Sequence, residues 1–189
     1  MNCTSCKPKT CKASQSCGSE SFISNDIIEE YKIPKNQKIA QSAAKLVDGM
    51  KAGNYSRISE MIEFIKDMQY KNVGFAYCFG MENEVRAIKT IFKDNGIKVS
   101  AISCSIGGIN QDDVNDTSCI HKVSCNPLGQ AHQLNSEKTD FAIIIGICLG
   151  HDILLQRKLE CDFSTLIVKD RVHRHNPILG IQEFNHLSN

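Results

Sequence analysis

Two kinds of hydrophobic pattern divide the chain. Between residues 20 and 70 the apolar positions recur at helical spacing. A short stretch from Asp26 to Tyr31 stops before Ile33-Pro34. A second, from Asn36 to Lys51, puts Ile39, Ala43, Leu46, Val47 and Met50 on one face. A third, from Ser56 to Met68, does the same with Ile58, Met61, Ile62, Ile65 and Met68. Gly53-Asn54 separates the last two as a helix stop, and the Met and Ile stripe reads as core. From residue 72 onward short apolar runs alternate with helical stretches, the pattern of a parallel sheet with crossover helices. The runs are Val73 to Tyr77, Lys98 to Ile102, Phe141 to Ile147 and Thr165 to Val168. Helices are predicted at Glu82 to Asn95, from near Pro127, and at His151 to Leu159. The polar, glycine-rich segment Gly107 to Lys122 is a loop of functional length.

This pattern predicts an α/β fold: an open, mainly parallel sheet of about four strands, flavodoxin- or Rossmann-like, with helices on both faces; if it is flavodoxin-like, the strand order is 2-1-3-4. The expected organisation is a cysteine-rich motif at 1–19, a helical segment packing on the core at 20–70, and the α/β domain at 71–189. Residues 1–19 have almost no large apolar side chains and cannot fold by hydrophobic burial. Lys and Arg (22) nearly balance Asp and Glu (21), so the charge gives no general attraction to nucleic acid or anionic membranes. No stretch has the roughly 20 apolar residues of a membrane span, and the polar start lacks a signal-peptide core. The expected compartment is the cytoplasm, where ten cysteines are thiols available for metal or redox chemistry.

Cys3, Cys6, Cys11 and Cys17 form Cys-x2-Cys-x4-Cys-x5-Cys, four soft donors suited to zinc or an iron–sulfur cluster. Metal binding would itself supply folding free energy to this segment. A second set follows the strands: Cys78 after the first, Cys104 after the second, Cys148 at the end of the third. An open parallel sheet carries all three to one edge. Cys125, in Cys125-Asn126-Pro127, precedes a helix expected to start at the opposite edge unless the long loop folds back. Cys119 and Cys161 fit no such position, although Cys119 with His121 offers an alternative ligand pair. Beside the second set, His151, Asp152, Lys169, Asp170 and His175 are candidates for proton donation or substrate binding. The plainer reading is that Asp152 caps a helix, Lys169 pairs with Asp170, and the histidines are solvated.

The segments Cys125 to Ala131, Gly146 to Asp152, and Val168 to Arg171 with His175-Asn176-Pro177 resemble those of small cysteine-rich proteins grouped as domain of unknown function 1847. The resemblance extends from the N-terminal cysteines to about Leu179. It implies metal binding and a ligand set of Cys78, Cys104, Cys125 and Cys148, but no reaction. The leading expectation is a redox protein with one or two iron–sulfur clusters, of the 4Fe-4S kind. It would be an electron-transfer protein or an iron–sulfur-dependent oxidoreductase, served by a redox partner protein and acting on a small molecule or sulfur species. The alternatives are a non-enzymatic zinc-binding interaction protein and a thiol-based sulfur or metal carrier.

Overall fold

The computed structural model describes residues 1–119 and 122–187, with side chains described as far as Phe184 in the last helix. It contains four strands, β1 (Val73–Tyr77), β2 (Val99–Ser103), β3 (Phe141–Ile145) and β4 (Asp162–Ile167). Eight helices accompany them: α1 (Ser24–Tyr31), α2 (Pro34–Lys45), α3 (Arg57–Met68), α4 (Glu82–Asp94), the short α5 (Gln111–Val114), α6 (Pro127–Ser136), α7 (His151–Lys158) and α8 (Pro177–Leu187). The strands form one all-parallel open sheet, as the alternation of strand and helix predicts, and their order is β2-β1-β3-β4, that of the flavodoxin-like case.

The chain divides into two compact units, Met1–Asn54 and Tyr55–Asn189. The division falls inside the 20–70 segment, because α3 puts Met61, Ile62, Ile65 and Met68 into the core beside the sheet. In the first unit α2 stops at Lys45 and not near Lys51. Gly49 and Met50 adopt φ of 65° and 62°, outside helical geometry, and Met50 is exposed. Two short 3-10 turns, Cys3–Ser5 and Thr10–Ala13, are the regular elements of the N-terminal motif.

In the second unit the central strands β1 and β3 are the most buried, β3 entirely so. Helix α6 lies close against β1. A Cβ at Gly74 would stand 2.4 Å from Leu134 Cδ2, so any larger residue there would force the buried Leu134 side chain to shift. At the N-terminal edge Asp140 accepts from the main-chain N–H groups of Lys71 (2.7 Å) and Asn72 (3.1 Å), and the Tyr70 hydroxyl donates to Asp162 (2.7 Å). β4 begins three residues before its apolar run. Asp162, Phe163 and Ser164, which lie outside the predicted run, pair with β3, because an edge strand needs burial on fewer sides. Across the predicted loop, Asn110 and Val123, the residue just after it, form an antiparallel bridge that draws the segment's two ends together. α8 was not expected. Its start, Asn176-Pro177, and the spacing of Ile178, Ile181 and Phe184 are helix signals, but all three apolar residues are exposed, so no core stripe marks it. No helix among the described residues is long and apolar enough to cross a membrane.

Candidate functional site

Register builds the site. Tyr77 pairs with Ser103 in β2 and with Ile145 in β3, so the next residues along these strands stand in one row. The ladder continues past the strands: Cys78 N donates to Ile145 O (3.1 Å), Cys104 N to Tyr77 O (2.8 Å) and Gly146 N to Ile167 O (2.8 Å). Cys78 and Cys104 are therefore neighbours at the C-terminal edge, both buried. The turn at Gly146, with φ of 59°, sends the chain to Cys148 and into α7.

Cys125 reaches the same place, which corrects the expectation for the start of its helix. Asn126 N donates to Cys104 O at 2.6 Å, so α6 starts at the edge where β2 ended. A crossover helix runs antiparallel to the strands it joins and must begin where the preceding strand stops. Asn126 fixes this junction: its Oδ1 accepts from Gly129 N (2.8 Å) as the α6 cap, and its Nδ2 donates to Ile106 O (3.0 Å). The Cys125 and Cys104 sulfurs lie 3.6 Å apart.

The four cysteines, together with Gln130 and His151, surround one tight gap that leaves no room for a water molecule. Cations and N–H groups face the sulfurs. Lys169 Nζ lies 3.4 Å from Cys78 Sγ, Arg171 Nη2 lies 2.9 Å from Cys148 Sγ, and Phe79 N donates to Cys104 Sγ at 3.3 Å. The Cys78 thiol is held well below its ordinary range by the hydrogen bond from Cys104, supported by Gly80 N–H and Lys169, which together outweigh burial. Cys104 moves up in response, as the partner that keeps the shared proton, with burial adding to the effect. Burial raises Cys125. The pair thus holds a thiolate and a thiol side by side at neutral pH.

Two polar atoms in this wall have no protein partner: Gln130 Oε1 and His151 Nδ1, both buried. An unmet group of this kind costs about 1–3 kcal/mol. Gln130 is a site residue that the sequence reading passed over. The signal was present, since Pro127, Gln130, Ala131 and Leu134 form the buried i, i+3, i+4, i+7 stripe of α6, and a glutamine at such a position needs a reason.

The remaining candidates separate. The Asp152 carboxylate is engaged with main-chain N–H groups of Gly150 (2.9 Å) and Ile153 (2.8 Å), a helix-end role. Lys169 is drawn to Cys78. Asp170 instead holds His173, 3.1 Å from Nδ1, and His173 Nε2 lies 3.0 Å from Glu183 of α8. His175 Nδ1 accepts from Asp170 N at 3.1 Å. Asp170, Arg171, Arg174 and His175 border a cleft of about 740 Å³. A second cleft, of about 880 Å³, opens onto Cys104 and Cys125 between Phe79, Ser105 and Lys122. Cys161 precedes β4 at the far edge, and burial raises its thiol. Cys119 is exposed, while His121, offered as its partner, lies outside the described residues.

In the N-terminal motif Cys6 N donates to Cys3 O (3.4 Å) across one turn and Ser14 N to Cys11 O (3.3 Å) across the next. Cys3, Cys11 and Cys17 are exposed and Cys6 is half-buried.

Residues 15–166 match the family described as Protein of unknown function (DUF1847). The chain belongs to that family. An uncharacterized protein of Methanocaldococcus jannaschii is 40% identical over 180 residues, which is 93% of this chain and 91% of that protein. No solved structure matches. The family match is shorter at both ends than the motif resemblance. It takes in Cys17 and the four strand-edge cysteines, and it leaves out Cys3, Cys6, Cys11 and the segment from Lys169 to His175.

The donor chemistry of the edge site fits a soft metal or an iron–sulfur cluster: four sulfurs, N–H groups and cations directed at them, and an imidazole nitrogen with no protein partner. Among the described residues no three Cys, His, Asp or Glu side chains are placed to hold a metal ion. Metal binding there would require the sulfurs to turn about χ1.

Proposed function

We propose that the strand-edge cysteines Cys78, Cys104, Cys125 and Cys148 hold an iron–sulfur cluster of the 4Fe-4S kind, and that the protein serves a redox function in a reducing, cytoplasmic setting. The observation that carries this reading is the convergence of four thiols from separate parts of the chain on one gap, with Lys169 and Arg171 set against two of the sulfurs. A cluster bound by four thiolates carries net negative charge, and two cations with main-chain N–H groups are the means by which a protein offsets it. The cluster would supply one-electron exchange. The chain's own residues do the rest: Lys169 and Arg171 hold the thiolates, and His151 offers a nitrogen that can take or give a proton. The clefts beside Arg171 and beside Cys104 admit a small molecule or sulfur species. We assign Cys3, Cys6, Cys11 and Cys17 to a second metal or cluster that exchanges electrons with a partner protein.

Anaerobic purification followed by iron and acid-labile sulfide analysis tests this, with serine replacements of the two cysteine sets made separately. Iron and sulfide that fall when Cys78, Cys104, Cys125 or Cys148 is replaced support the edge cluster; loss confined to the N-terminal variants assigns the metal there alone. Colourless protein with stoichiometric zinc rejects the cluster in favour of a zinc-binding interaction protein. A further reading is favoured by one observation, the thiolate–thiol pair of Cys78 and Cys104. It makes the site a sulfur or metal carrier, and a persulfide on Cys78 in freshly isolated protein would identify it.

A further inference from the structure

We propose that the cleft beside Cys104 and Cys125 seats the substrate of the edge site, and that this substrate is an aromatic carboxylate, its ring against Phe79 and Val123 and its charge on Lys122. The inference rests on the edge site proposed above and names the class of molecule that site receives. At about 880 Å³ the cleft has the size of a seat for one small organic ligand. Most of its lining surface is apolar. Phe79 and Val123 flank it with side chains 62% and 56% exposed, and Tyr77 adds a second aromatic residue. A flat ring between them would take this surface out of water, and aromatic pairs add to the gain from burial alone. Main-chain bonds hold the walls. Gln111 N donates to Lys122 O and Ser124 N to Ile109 O, both at 2.8 Å, on either side of the Asn110–Val123 bridge. Phe79 N is tied to Cys104 Sγ. The seat is therefore formed before a ligand arrives.

The charges select the sign of the ligand. Glu82, at the rim, is engaged by Arg86 of the same helix at 2.6 Å. No carboxylate among the described residues pairs with Lys122, so its ammonium is the unmatched charge on the cleft. Ser103 and Ser105 share one hydrogen bond between their hydroxyls at 3.0 Å, which leaves one of the two hydroxyl hydrogens for a ligand oxygen. Both features call for oxygen acceptors on the ligand, one of them charged. A single ammonium balances a single negative charge, which favours a carboxylate over a phosphate. The cleft bordered by Arg171 gives no such signal, because its lining balances Arg171 and Arg174 with Glu84 and Asp170. Cys104 and Cys125 belong to the lining of the aromatic cleft, so a ring bound there lies beside two of the sulfurs assigned to the cluster. That is the position from which a redox centre can exchange electrons with a substrate.

The full chain, isolated anaerobically, is titrated by calorimetry with sodium 2-naphthoate, with its neutral relative 2-naphthamide, and with sodium acetate, which has the charge without the ring. The naphthoate is expected to bind about fivefold tighter than the naphthamide, the worth of a partly exposed ion pair, and acetate not at all over the same range. Lys122→Met should remove the naphthoate's advantage and leave the naphthamide unchanged. Phe79→Ala should weaken both aromatic probes alike, by about tenfold. Both side chains are exposed, and the main-chain bond from residue 79 to Cys104 survives the change, so neither variant disturbs the core. Lys89→Met, which removes an exposed lysine of α4 outside the cleft, should alter nothing. The proposal is overturned if the naphthoate fails to bind, binds no better than the naphthamide, or loses as much with Lys89→Met as with Lys122→Met. Iron and acid-labile sulfide measured on the same samples judge the cluster separately. Iron-free protein that binds the naphthoate keeps the ligand class and rejects the cluster, and iron-bearing protein that ignores it does the reverse.

Discussion

Replacing Lys169 by methionine removes a cation 3.4 Å from Cys78 Sγ while keeping most of the side chain's bulk. At that separation two unit charges interact by about 5 kcal/mol with an effective dielectric constant of 20, and by about 1.2 kcal/mol in bulk water. Lys169 is half-buried, so its contribution falls between these limits. At 1.36 kcal/mol per unit, the Cys78 pKa should rise by at least about one unit. The assay is pulsed alkylation of metal-depleted protein across a pH series, with peptide mass spectrometry to read Cys78 apart from the other cysteines. Near-UV circular dichroism checks that the variant is folded. In the native chain Cys78 should react as a thiolate well below the ordinary thiol range, and in Lys169→Met its profile should move up while that of Cys161 stays in place. A rise below about half a unit would show that Cys104 and the main-chain N–H groups hold the thiolate without the lysine, and would refute the assigned role.

Three further outcomes are expected. Asn126→Ala, which removes the α6 cap and the tie to Ile106, should cost about 1–3 kcal/mol in thermal or denaturant unfolding and release Cys125 from its place beside Cys104. Gly74→Ala should destabilise by about 1–3 kcal/mol, since the new methyl meets Leu134 Cδ2 at 2.4 Å, and Gly74→Ala with Leu134→Val should recover part of the loss. The clip between the β4 loop and α8 should depend on pH in both directions. The His173 pKa is raised by Glu183 and then Asp170, so its stabilisation is complete below the ordinary 6.5 and lost as pH rises through the higher folded value. The Asp170 carboxyl is lowered chiefly by the His173 N–H, so its share is present above the ordinary 3.8 and lost as pH falls through the lower folded value. Amide exchange in α8, corrected for intrinsic rates, should be slowest between these two values, and protection that does not vary with pH would dismiss the clip.

How much of this is legible in the sequence depends on what each residue answers to. The strands and their parallel pairing follow from short apolar runs separated by amphipathic helices, because burial on both faces forces such runs, whereas their order is not fixed by that pattern. The cysteines after β1 and β2 are readable for the same reason, since register carries strand-end residues to one row. Cys125 was placed less well. Its position depends on where α6 begins, and that follows from the direction of the crossover and not from local spacing. Gln130 carries no mark in the sequence reading, because the helix from near Pro127 is given no buried face there. The partners of Lys169 and Arg171 are not legible at all. Lysine beside aspartate suggests a surface pair, whereas the fold turns Lys169 to Cys78 and leaves Asp170 to His173. The register shift between Ile144 and Ile145 in the β3–β4 pairing sits just before this segment and has no sequence signature.

The row of strand ends has a consequence for how this chain can change. Side chains alternate across a strand with a period of two, so one residue added or lost between Val73 and Cys78, or between Val99 and Cys104, would point that sulfur out of the gap while leaving the sheet able to pair. The turns at the opposite end carry no such restriction, because their length is absorbed before the ladder begins. Insertions are thus tolerable at one end of the sheet and ruinous at the other, and the strand-end spacings are the part of the chain whose length cannot drift.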